Sequence, residues 1–242
     1  MLQSEIKDKL CKEYKFRIEM HAHTLPESTC SQIPPSDMAK IYHDLGYDAI
    51  VITNHFIYNY NFYENNSPEE ALGKYMLGYE NTKKEAEKYG LKVLLGAELR
   101  FTENFNDYLI YGIDKKMLSQ IYDMLSGGLE NFRKNFDMKK SILFQAHPFR
   151  DGMELADVKL LDGMETFNMH LGHNSRVAKA VRYAKENNLN LTLAGTDFHE
   201  YGREGAAAIR TKILPDDSFE LAKLLKSGDY LLEIGGNAIV LP

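Results

Sequence analysis

Short apolar runs alternate with longer segments of helical period along most of this 242-residue chain. The apolar runs span residues 16–20, 48–53, 92–99, 108–113, 141–146, 162–167, 190–196 and 230–234. Several are rich in Val, Ile and Leu and apolar on both faces, which is typical of parallel strands covered on both sides. The pattern therefore predicts a parallel sheet buried between helices.

The helical segments between these runs carry start and stop signals. Ser36 is positioned to cap a helix over 37–45 that Gly46 ends, and a second helix is predicted from Ser67-Pro68 to Gly90. Two more are predicted after Asn174 or Ser175 and after Asp216 or Asp217. Strand–helix alternation indicates an α/β fold, and about eight strands suit a closed barrel better than an open sheet. Without repeats or linkers, residues 1–242 are expected to form one domain.

Charge and cysteine content narrow the function classes. A formal net charge of −6 argues against a protein that grips long nucleic acid through a basic face, but leaves a small phosphorylated substrate open. Two cysteines are too few for a disulfide framework. The N-terminus is polar and no apolar run approaches 18 residues, so we expect no signal peptide, no membrane span and a cytoplasmic location.

Histidines and carboxylates cluster at the ends of the predicted strands. Five of the eight histidines lie at or just past such an end, and so does Asp197. These residues are His21, His23, His55, His147 and His199, the last paired with Asp197, with Glu98 and Glu165 near the ends of two further runs. The C-terminal ends of parallel barrel strands open on one face.

Imidazole and carboxylate groups are ligands that zinc, manganese and iron accept. The pairs His21/His23 and Asp197/His199 have the i, i+2 spacing that places two side chains on one side of a strand. Alternatively, the histidines cap strands and bond loop carbonyls, which requires several independent coincidences. The spacing therefore favours a divalent-metal site.

The motifs HAHT (21–24), TNH (53–55), GAE (96–98), AHP (146–148) and GTDFH (195–199) resemble the PHP family, named for polymerase and histidinol phosphatase. The order and spacing match from about residue 16 to about residue 200. The resemblance implies a distorted (β/α)7 TIM-like barrel, two or three divalent ions (zinc, manganese or iron) and hydrolysis of phosphate esters. One of the eight runs would then lie outside the barrel.

The resemblance also implies roles for individual residues. His21, His23 and Asp197 resemble ligands of a first metal, Glu98 resembles the carboxylate that bridges the first and second, and His147 resembles a ligand of the second. His55 and His199 resemble ligands of a third metal.

The chain departs from the family pattern at three positions. Where many members have a second-metal histidine, this sequence offers Asp107 as the substitute. In the loop after HAHT, where many members have a third-metal ligand, Glu27 or Cys30 remains, and Cys30 is either a thiolate ligand or a small apolar residue. Asn54 replaces a commoner aspartate and cannot act as a carboxylate.

The expected mechanism is metal-assisted ester hydrolysis, with Glu98, Asp197 and His199 as the catalytic residues and hydroxide as the nucleophile. Arg150, Arg176 and His173 are candidates for binding the substrate phosphate, with His170 in the same loop as His173. Each arginine can instead form a surface salt bridge. His43 lies within a predicted helix, and we expect no chemical role for it.

Several functions fit these features. The first is a phosphomonoesterase for a small metabolite. A phosphodiesterase or nuclease for short nucleotides, a protein-tyrosine phosphatase and a non-catalytic metal-binding domain are the alternatives. The aromatic segment 56–67 is predicted to pack on the barrel, or else to cover the substrate. Nothing in the sequence fixes the oligomeric state.

Overall fold

The computed structural model describes residues 3–58, 67–236 and 238–240. Within these ranges the helices are α1 (Gln3–Glu13), α2 (Pro35–Asp44), α3 (Pro68–Ala86), α4 (Lys115–Met124), α5 (Gly128–Asn135), α6 (Val177–Glu186) and α7 (Ser218–Ser227). The strands are β1 (Phe16–Ala22), β2 (Ala49–Ile52), β3 (His55–Ile57), β4 (Lys92–Arg100), β5 (Asp107–Tyr111), β6 (Ile142–Gln145), β7 (Gly163–Asn168), β8 (Thr192–Gly195), β9 (Ala207–Thr211), β10 (Leu231–Ile234) and β11 (Ala238–Val240). All eight apolar runs therefore contain a strand.

The strands form one sheet in the order β11-β10-β9-β1-β2-β4-β5-β6-β7-β8, with β3 paired to β4. Strands β1, β2 and β4 run parallel, as do β6, β7 and β8. The prediction of a wholly parallel sheet is wrong at β5, which is antiparallel to both β4 and β6, and at β9–β11, which pair antiparallel with β1 and with one another. Only residues 101–106 join β4 to β5, and a connection this short cannot make the crossover that parallel strands need.

The sheet curls until the end of β1 meets the segment that follows β8. Ala22 at the end of β1 bridges Phe198, which follows β8. Two backbone hydrogen bonds make this contact, from His23 N to Phe198 O (3.1 Å) and from Phe198 N to His21 O (3.1 Å). The α/β class is confirmed. A regular (β/α)7 repeat is not, because no helix separates β4 from β5 and β9–β11 extend the sheet beyond β1. The run at 230–234 lies in that extension, outside the path from β1 to β8.

Helix boundaries follow the predicted signals at two of four sites. Ser67 and Glu70 form a reciprocal capping box on α3, and Asp217 caps α7. Ser36 does not cap α2, because the helix begins at Pro35, two residues before the predicted start at residue 37, with Pro34 at the N-cap position. Helix α6 begins behind Arg176 rather than behind Asn174 or Ser175. No helix in the described ranges is long and apolar enough to cross a membrane.

Apolar side chains fill both sides of the sheet. Residues such as Ile18, Val51, Leu109 and Phe144 are fully buried in one cluster, and α3, α4 and α5 cover the other face with a second cluster that includes Phe132. Burying each such side chain contributes about 1.5–3 kcal/mol. The core thereby fixes the strands whose ends carry the polar residues.

Two β-bulges interrupt the sheet close to those ends. In β1 the pairing with β2 shifts between Glu19 and Ala22, and in β7 the pairing with β8 shifts between Glu165 and Phe167. A bulge inserts one residue into a strand and changes the direction of the side chains beside it. The two bulges therefore change the directions in which the side chains of His21 and Glu165 point.

Candidate metal centre

The predicted ligands converge at one rim of the curled sheet. His21 and His23 come from the end of β1, Glu98 from β4, and His147 and Asp197 from the residues just past β6 and β8. Asp107 is the first residue of β5 rather than the last. Since β5 runs antiparallel to its neighbours, its beginning lies at the same rim as their ends. The strand reversal thus explains why this ligand precedes its strand.

Glu98 lies at the centre of the cluster. Its carboxylate oxygens are 3.2 Å from His21 Nε2, 3.4 Å from His23 Nε2, 2.7 Å from His55 Nδ1 and 3.0 Å from His147 Nε2. The Glu98 side chain is fully buried. One carboxylate surrounded by four imidazoles has the arrangement expected of a group shared between metal ions.

The first-metal residues predicted from the sequence lie together. Asp197 Oδ1 is 3.4 Å from His21 Nε2 and 3.5 Å from His23 Nε2. Ligands placed about 2.0–2.1 Å from a tetrahedral ion are about 3.3–3.4 Å from one another. His21, His23, Glu98 and Asp197 therefore fit a divalent ion held between them.

Asp107 and His147 form a second grouping around Glu98. His147 Nε2 lies 3.7 Å from Asp107 Oδ2. Arg100 holds Asp107 through two hydrogen bonds, from Nε to Oδ1 (2.8 Å) and from Nη2 to Oδ2 (2.7 Å). The substitution of a histidine by Asp107 is thus compatible with a ligand at this position, although part of its charge is matched by the guanidinium.

Five residues form the inner ligands of the cluster: His21, His23, Glu98, His147 and Asp197. A second layer of side chains orients them. Glu165 accepts hydrogen bonds from His21 Nδ1 (2.9 Å), from the His147 backbone N–H (2.9 Å) and from Asn168 Nδ2 (3.0 Å). Fixing Nδ1 of His21 in this way presents Nε2 to Glu98 and Asp197.

Ser28 orients His23 in the same manner. Ser28 Oγ donates to Asn54 Oδ1 (3.1 Å), so the 3.1 Å contact with His23 Nδ1 is made with the histidine donating. The lone pair of His23 Nε2 is then left facing the cluster. Asn54 also accepts from the Thr24 backbone N–H (2.7 Å), which shows why an amide serves here as a loop anchor.

Glu19 is buried beneath the cluster and compensates for the bulge in β1. Its Oε1 accepts from the backbone N–H groups of Met20 (3.0 Å), His21 (3.0 Å) and Thr196 (2.9 Å), while Tyr42 donates to Oε2 (2.9 Å). Burial raises the pKa of Glu19 to about 7 in spite of these donors. Glu19 thus joins β1 to the end of β8.

Several ligand atoms are buried without hydrogen-bond partners among the described residues. These atoms include His21 Nε2, His23 Nε2 and Glu98 Oε2. An unsatisfied buried polar atom costs about 1–3 kcal/mol, so their convergence on one point indicates a group that completes them. A divalent cation would do so, because every convergent atom is a nitrogen or carboxylate ligand.

The electrostatics of Asp197 and His23 suit metal binding, whereas at His21 burial is outweighed by the neighbouring carboxylates, which raise the pKa well above its usual range. Burial raises the pKa of Asp197, but His21, His23 and Arg150 outweigh burial and hold it well below its usual range. Burial lowers the pKa of His23 well below its usual range, and His199 and His55 add to this effect. An ionised carboxylate beside a neutral imidazole is the state in which both bind metal.

His55 and His199 form the more open part of the cluster, named the outer ligands below. Their side chains are 14% and 11% exposed, whereas His21 and His23 are fully buried. His23 stacks on His199 with ring centroids 4.1 Å apart and lies 4.5 Å from His55. One ring nitrogen from each of His23, His55 and His199 lies within 4.8 Å of the other two. The outer ligands can thus hold a further ion.

The backbone is strained at two of the inner ligands. His147 has φ of +26° and Asp197 has φ of +56°, in a region that non-glycine residues seldom adopt. Such strain persists where the surrounding structure determines it, and it concentrates at functional sites.

A cavity of about 350 Å³ opens over the cluster. Its lining includes the outer ligands together with Cys30, Arg100, Asp107, Arg150, His170, His173 and Arg203. Arg150 forms an ion pair with Asp197 and donates to Asn168 Oδ1 (3.3 Å). Burial lowers the pKa of His170 to about 4, so this residue is neutral near pH 7.

The structure separates the remaining predicted residues from the cavity. Arg176 donates to the Phe149 backbone oxygen (2.7 Å) and to Asp151 (2.6 Å) and does not line the cavity. Glu27 packs against Asn54 and Gly78 instead of facing the cavity. His43 stacks on Tyr89, away from the ligands. In the aromatic segment, Phe56 is buried against Tyr75 and Tyr122, whereas residues 59–66 lie outside the described residues.

Sequence reasoning gave no role to four residues that shape the site. Arg100, Arg203 and Asn168 carry no local motif, because their importance depends on which strands are neighbours. Glu19 carries a signal, since a carboxylate between Ile18 and Met20, two positions before His21, requires partners if the strand is buried.

The order of the ligands and the curled sheet define a class of α/β proteins with a metal-type cluster at the strand ends. The chain belongs to the PHP domain family, whose model matches residues 19–234. No curated protein sequence matches the chain at a significant level.

Three solved structures share the fold at low sequence identity. A protein of Bifidobacterium adolescentis, provisionally called a metal-dependent phosphoesterase, is 14% identical, with a TM-score of 0.52 over 78% of this chain and 89% of its own. A two-domain protein of Bacteroides vulgatus, which contains a PHP-like metal-dependent phosphoesterase assigned by prediction, is 13% identical, with a TM-score of 0.62 over 91% of this chain and 65% of its own. PsfC of Pseudomonas syringae is 18% identical, with a TM-score of 0.56 over 80% of each chain.

Proposed function

We propose that this protein is a metal-dependent phosphoesterase that hydrolyses a small-molecule phosphate monoester. The observation that carries the proposal is Glu98, whose carboxylate is within 3.4 Å of four imidazole nitrogens in a buried cluster. Membership of the PHP family supports it, as do two structural relatives that bear the name phosphoesterase.

Two ions are assigned to the inner ligands together with Asp107, and a third to the outer ligands. His21, His23, Glu98 and Asp197 would hold the first, and Glu98, Asp107 and His147 the second. Bound zinc, manganese or iron would supply Lewis acidity toward phosphoryl oxygens. It would also lower the pKa of a bound water to near neutrality.

The chain's own residues bind and orient the substrate. Arg150 lines the cavity beside Asp197, and its guanidinium matches the geometry of two phosphoryl oxygens. Arg100 and Arg203 also line the cavity, each paired with a carboxylate of the same lining, Asp107 and Glu200. Their guanidinium groups can donate to phosphate oxygens, and a cavity of about 350 Å³ suits a small molecule. His173 and neutral His170 are available as hydrogen-bonding groups at the mouth.

The test is hydrolysis of p-nitrophenyl phosphate by the purified protein. We expect EDTA to abolish phosphate release and added manganese or zinc to restore it. Glu98→Gln should remove activity, while His43→Gln, a histidine variant outside the cluster, serves as the matched control and should retain it. Metal-insensitive turnover would contradict the metal-dependent mechanism, and faster turnover of bis-p-nitrophenyl phosphate would contradict the preference for monoesters.

A further inference from the structure

Two neighbouring loops form a wall of the cavity beside the outer ligands. The loop after β7 contributes His170, Gly172 and His173, and the loop after β8 contributes Glu200 and Arg203. The ring centroids of His170 and His199 are 5.7 Å apart. This set of five residues, named the distal wall below, therefore lies next to the metal cluster.

Gly172 allows the guanidinium of Arg203 to lie across the first of these loops. A Cβ on Gly172 would lie only 2.1 Å from Arg203 Nη1 and 2.9 Å from His170 Cε1. Gly172 is not among the residues with a positive φ, so its backbone conformation does not itself require glycine. The missing side chain therefore leaves the space in which the guanidinium meets the imidazole.

The same loop fixes the proton of His170. The Gly172 backbone N–H donates to His170 Nδ1 (3.0 Å), so Nδ1 carries no proton. The ring is then neutral with its proton on Nε2. Burial, which lowers the pKa of His170 to about 4, agrees with this state. His170 Nε2 is thus a hydrogen-bond donor that the loop holds in one tautomer.

Glu200 restrains Arg203 at the opposite edge of the guanidinium. Its Oε2 lies 3.1 Å from Arg203 Nε, whereas Nη1 lies on the Gly172 side. The two side chains are 37% and 36% exposed, and an ion pair this exposed is weak. A guanidinium carries five N–H donors, so the pair with Glu200 leaves it able to bind another anion.

We propose that the distal wall binds a second anionic group of the substrate, a carboxylate or a further phosphate. The preferred substrate is then a phosphate monoester whose alcohol carries another negative charge. The inference rests on the proposed function, because it names the substrate class of the same site. The scissile phosphate lies at the metal cluster beside Arg150, and the second group accepts from Arg203 Nη1 and His170 Nε2. Hydrogen bonds from a guanidinium to an oxyanion are among the strong ones.

Matched pairs of substrates test the assignment in the metal-loaded protein. One pair is 3-phosphoglycerate and glycerol 3-phosphate, which differ by a carboxylate, and the other is fructose 1,6-bisphosphate and fructose 6-phosphate, which differ by a phosphate. We expect kcat/KM to favour the more anionic member of at least one pair by about tenfold or more, mainly through a lower KM. The pair that shows the preference identifies the second group. Because the ratio is taken within one protein, differences in metal content cancel.

Two substitutions should bring this ratio close to one. Arg203→Ala removes the guanidinium, and Gly172→Ala displaces it, because the new Cβ takes the place of Nη1 at the end of a flexible side chain. Arg182→Ala, on α6, is the matched arginine control, since that arginine is exposed and paired with Glu186. Gly73→Ala, on α3, is the matched glycine control, because a Cβ there meets nothing within 4 Å. Both controls should keep the wild-type ratio.

The outcomes separate this inference from the proposed function. If Arg203 and Gly172 only maintain the structure, their variants lower kcat/KM equally for both members of a pair, and the unchanged ratio overturns the assignment. Wild type that hydrolyses p-nitrophenyl phosphate with added metal but shows a ratio near one in both pairs overturns the assignment alone. Wild type without metal-dependent hydrolysis of any of these esters overturns the proposed function as well.

Discussion

The inner and outer ligands differ in how the protein holds them. Each inner histidine of β1 has its Nδ1 fixed by a second group, Glu165 for His21 and Ser28 for His23. The outer ligands border the cavity, and His199 Nδ1 lies 2.9 Å from the backbone oxygen and 3.3 Å from Oδ1 of Asp197, itself an inner ligand. If the proposed function holds, we expect the inner sites to hold their ions more tightly than the outer site, which borders the cavity.

The largest test of this comparison sets an inner ligand against an outer one. His147→Ala should lower kcat/KM by at least about 10³-fold, because Lewis-acid stabilisation amounts to several kcal/mol and each tenfold corresponds to about 1.4 kcal/mol. His55→Ala should cost less, about tenfold, and excess zinc should recover part of it. Steady-state assays over a zinc titration measure both. Equal losses that zinc does not relieve would show that the two parts are one functional unit.

Glu165→Gln tests whether the second layer holds the inner ligands. All three partners of this carboxylate donate hydrogen bonds, so the amide nitrogen of glutamine would face a donor in either orientation. We expect inner-site metal affinity to fall by about 10–100-fold. Competition with a chelator, read by elemental analysis, measures this loss. Unchanged affinity would mean that the backbone alone orients His21.

The two parts of the site also differ in how well the sequence predicts them. The sequence predicts the inner ligands because each of them lies near a strand end and carries a ligand atom. Asp107 is readable only through the family resemblance, since its place at the start of an antiparallel strand follows from the short 101–106 connection. The choice between Glu27 and Cys30 depends on Gly78, some 50 positions away in the chain, and no local pattern contains that contact.

The fold shows the same division. The apolar runs predict β1, β2 and β4 because most residues of these strands are buried and apolar. The apolar runs do not include β3, β9 and β11, since these strands are short and mixed in character. The two bulges follow from pairing between strands, which a single segment does not reveal. Arg176 illustrates the converse, because its position before α6 suggests phosphate binding while its partners lie in residues 149–151.

Glu27→Gln sharpens the contrast between a ligand and a buried carboxylate. Burial raises the pKa of Glu27 to about 7. The folded state therefore binds more protons than the unfolded state between about pH 4.5 and 7, so this group lowers stability as the pH rises through that window. Glu27→Gln should stabilise the protein by on the order of 2 kcal/mol at pH 8 and by little at pH 4.5.

Urea denaturation of the metal-loaded variant and wild type at both pH values measures this difference, in which the pH dependence of metal binding common to both proteins cancels. A loss of stability at pH 8, accompanied by loss of zinc, would instead identify Glu27 as a ligand.

The smallest expected effect concerns Arg100, which lies at the boundary between the two parts. Arg100→Lys keeps the positive charge but cannot make both hydrogen bonds to Asp107. The arginine is 30% exposed, so solvent screens the pair and we expect at most about a fivefold loss of metal affinity at the second site. Chelator competition in low and high salt measures it, and Lys179→Arg on α6 is a control for a basic substitution elsewhere. A loss of about 100-fold would place Asp107 among the inner ligands, with Arg100 as the residue that orients it.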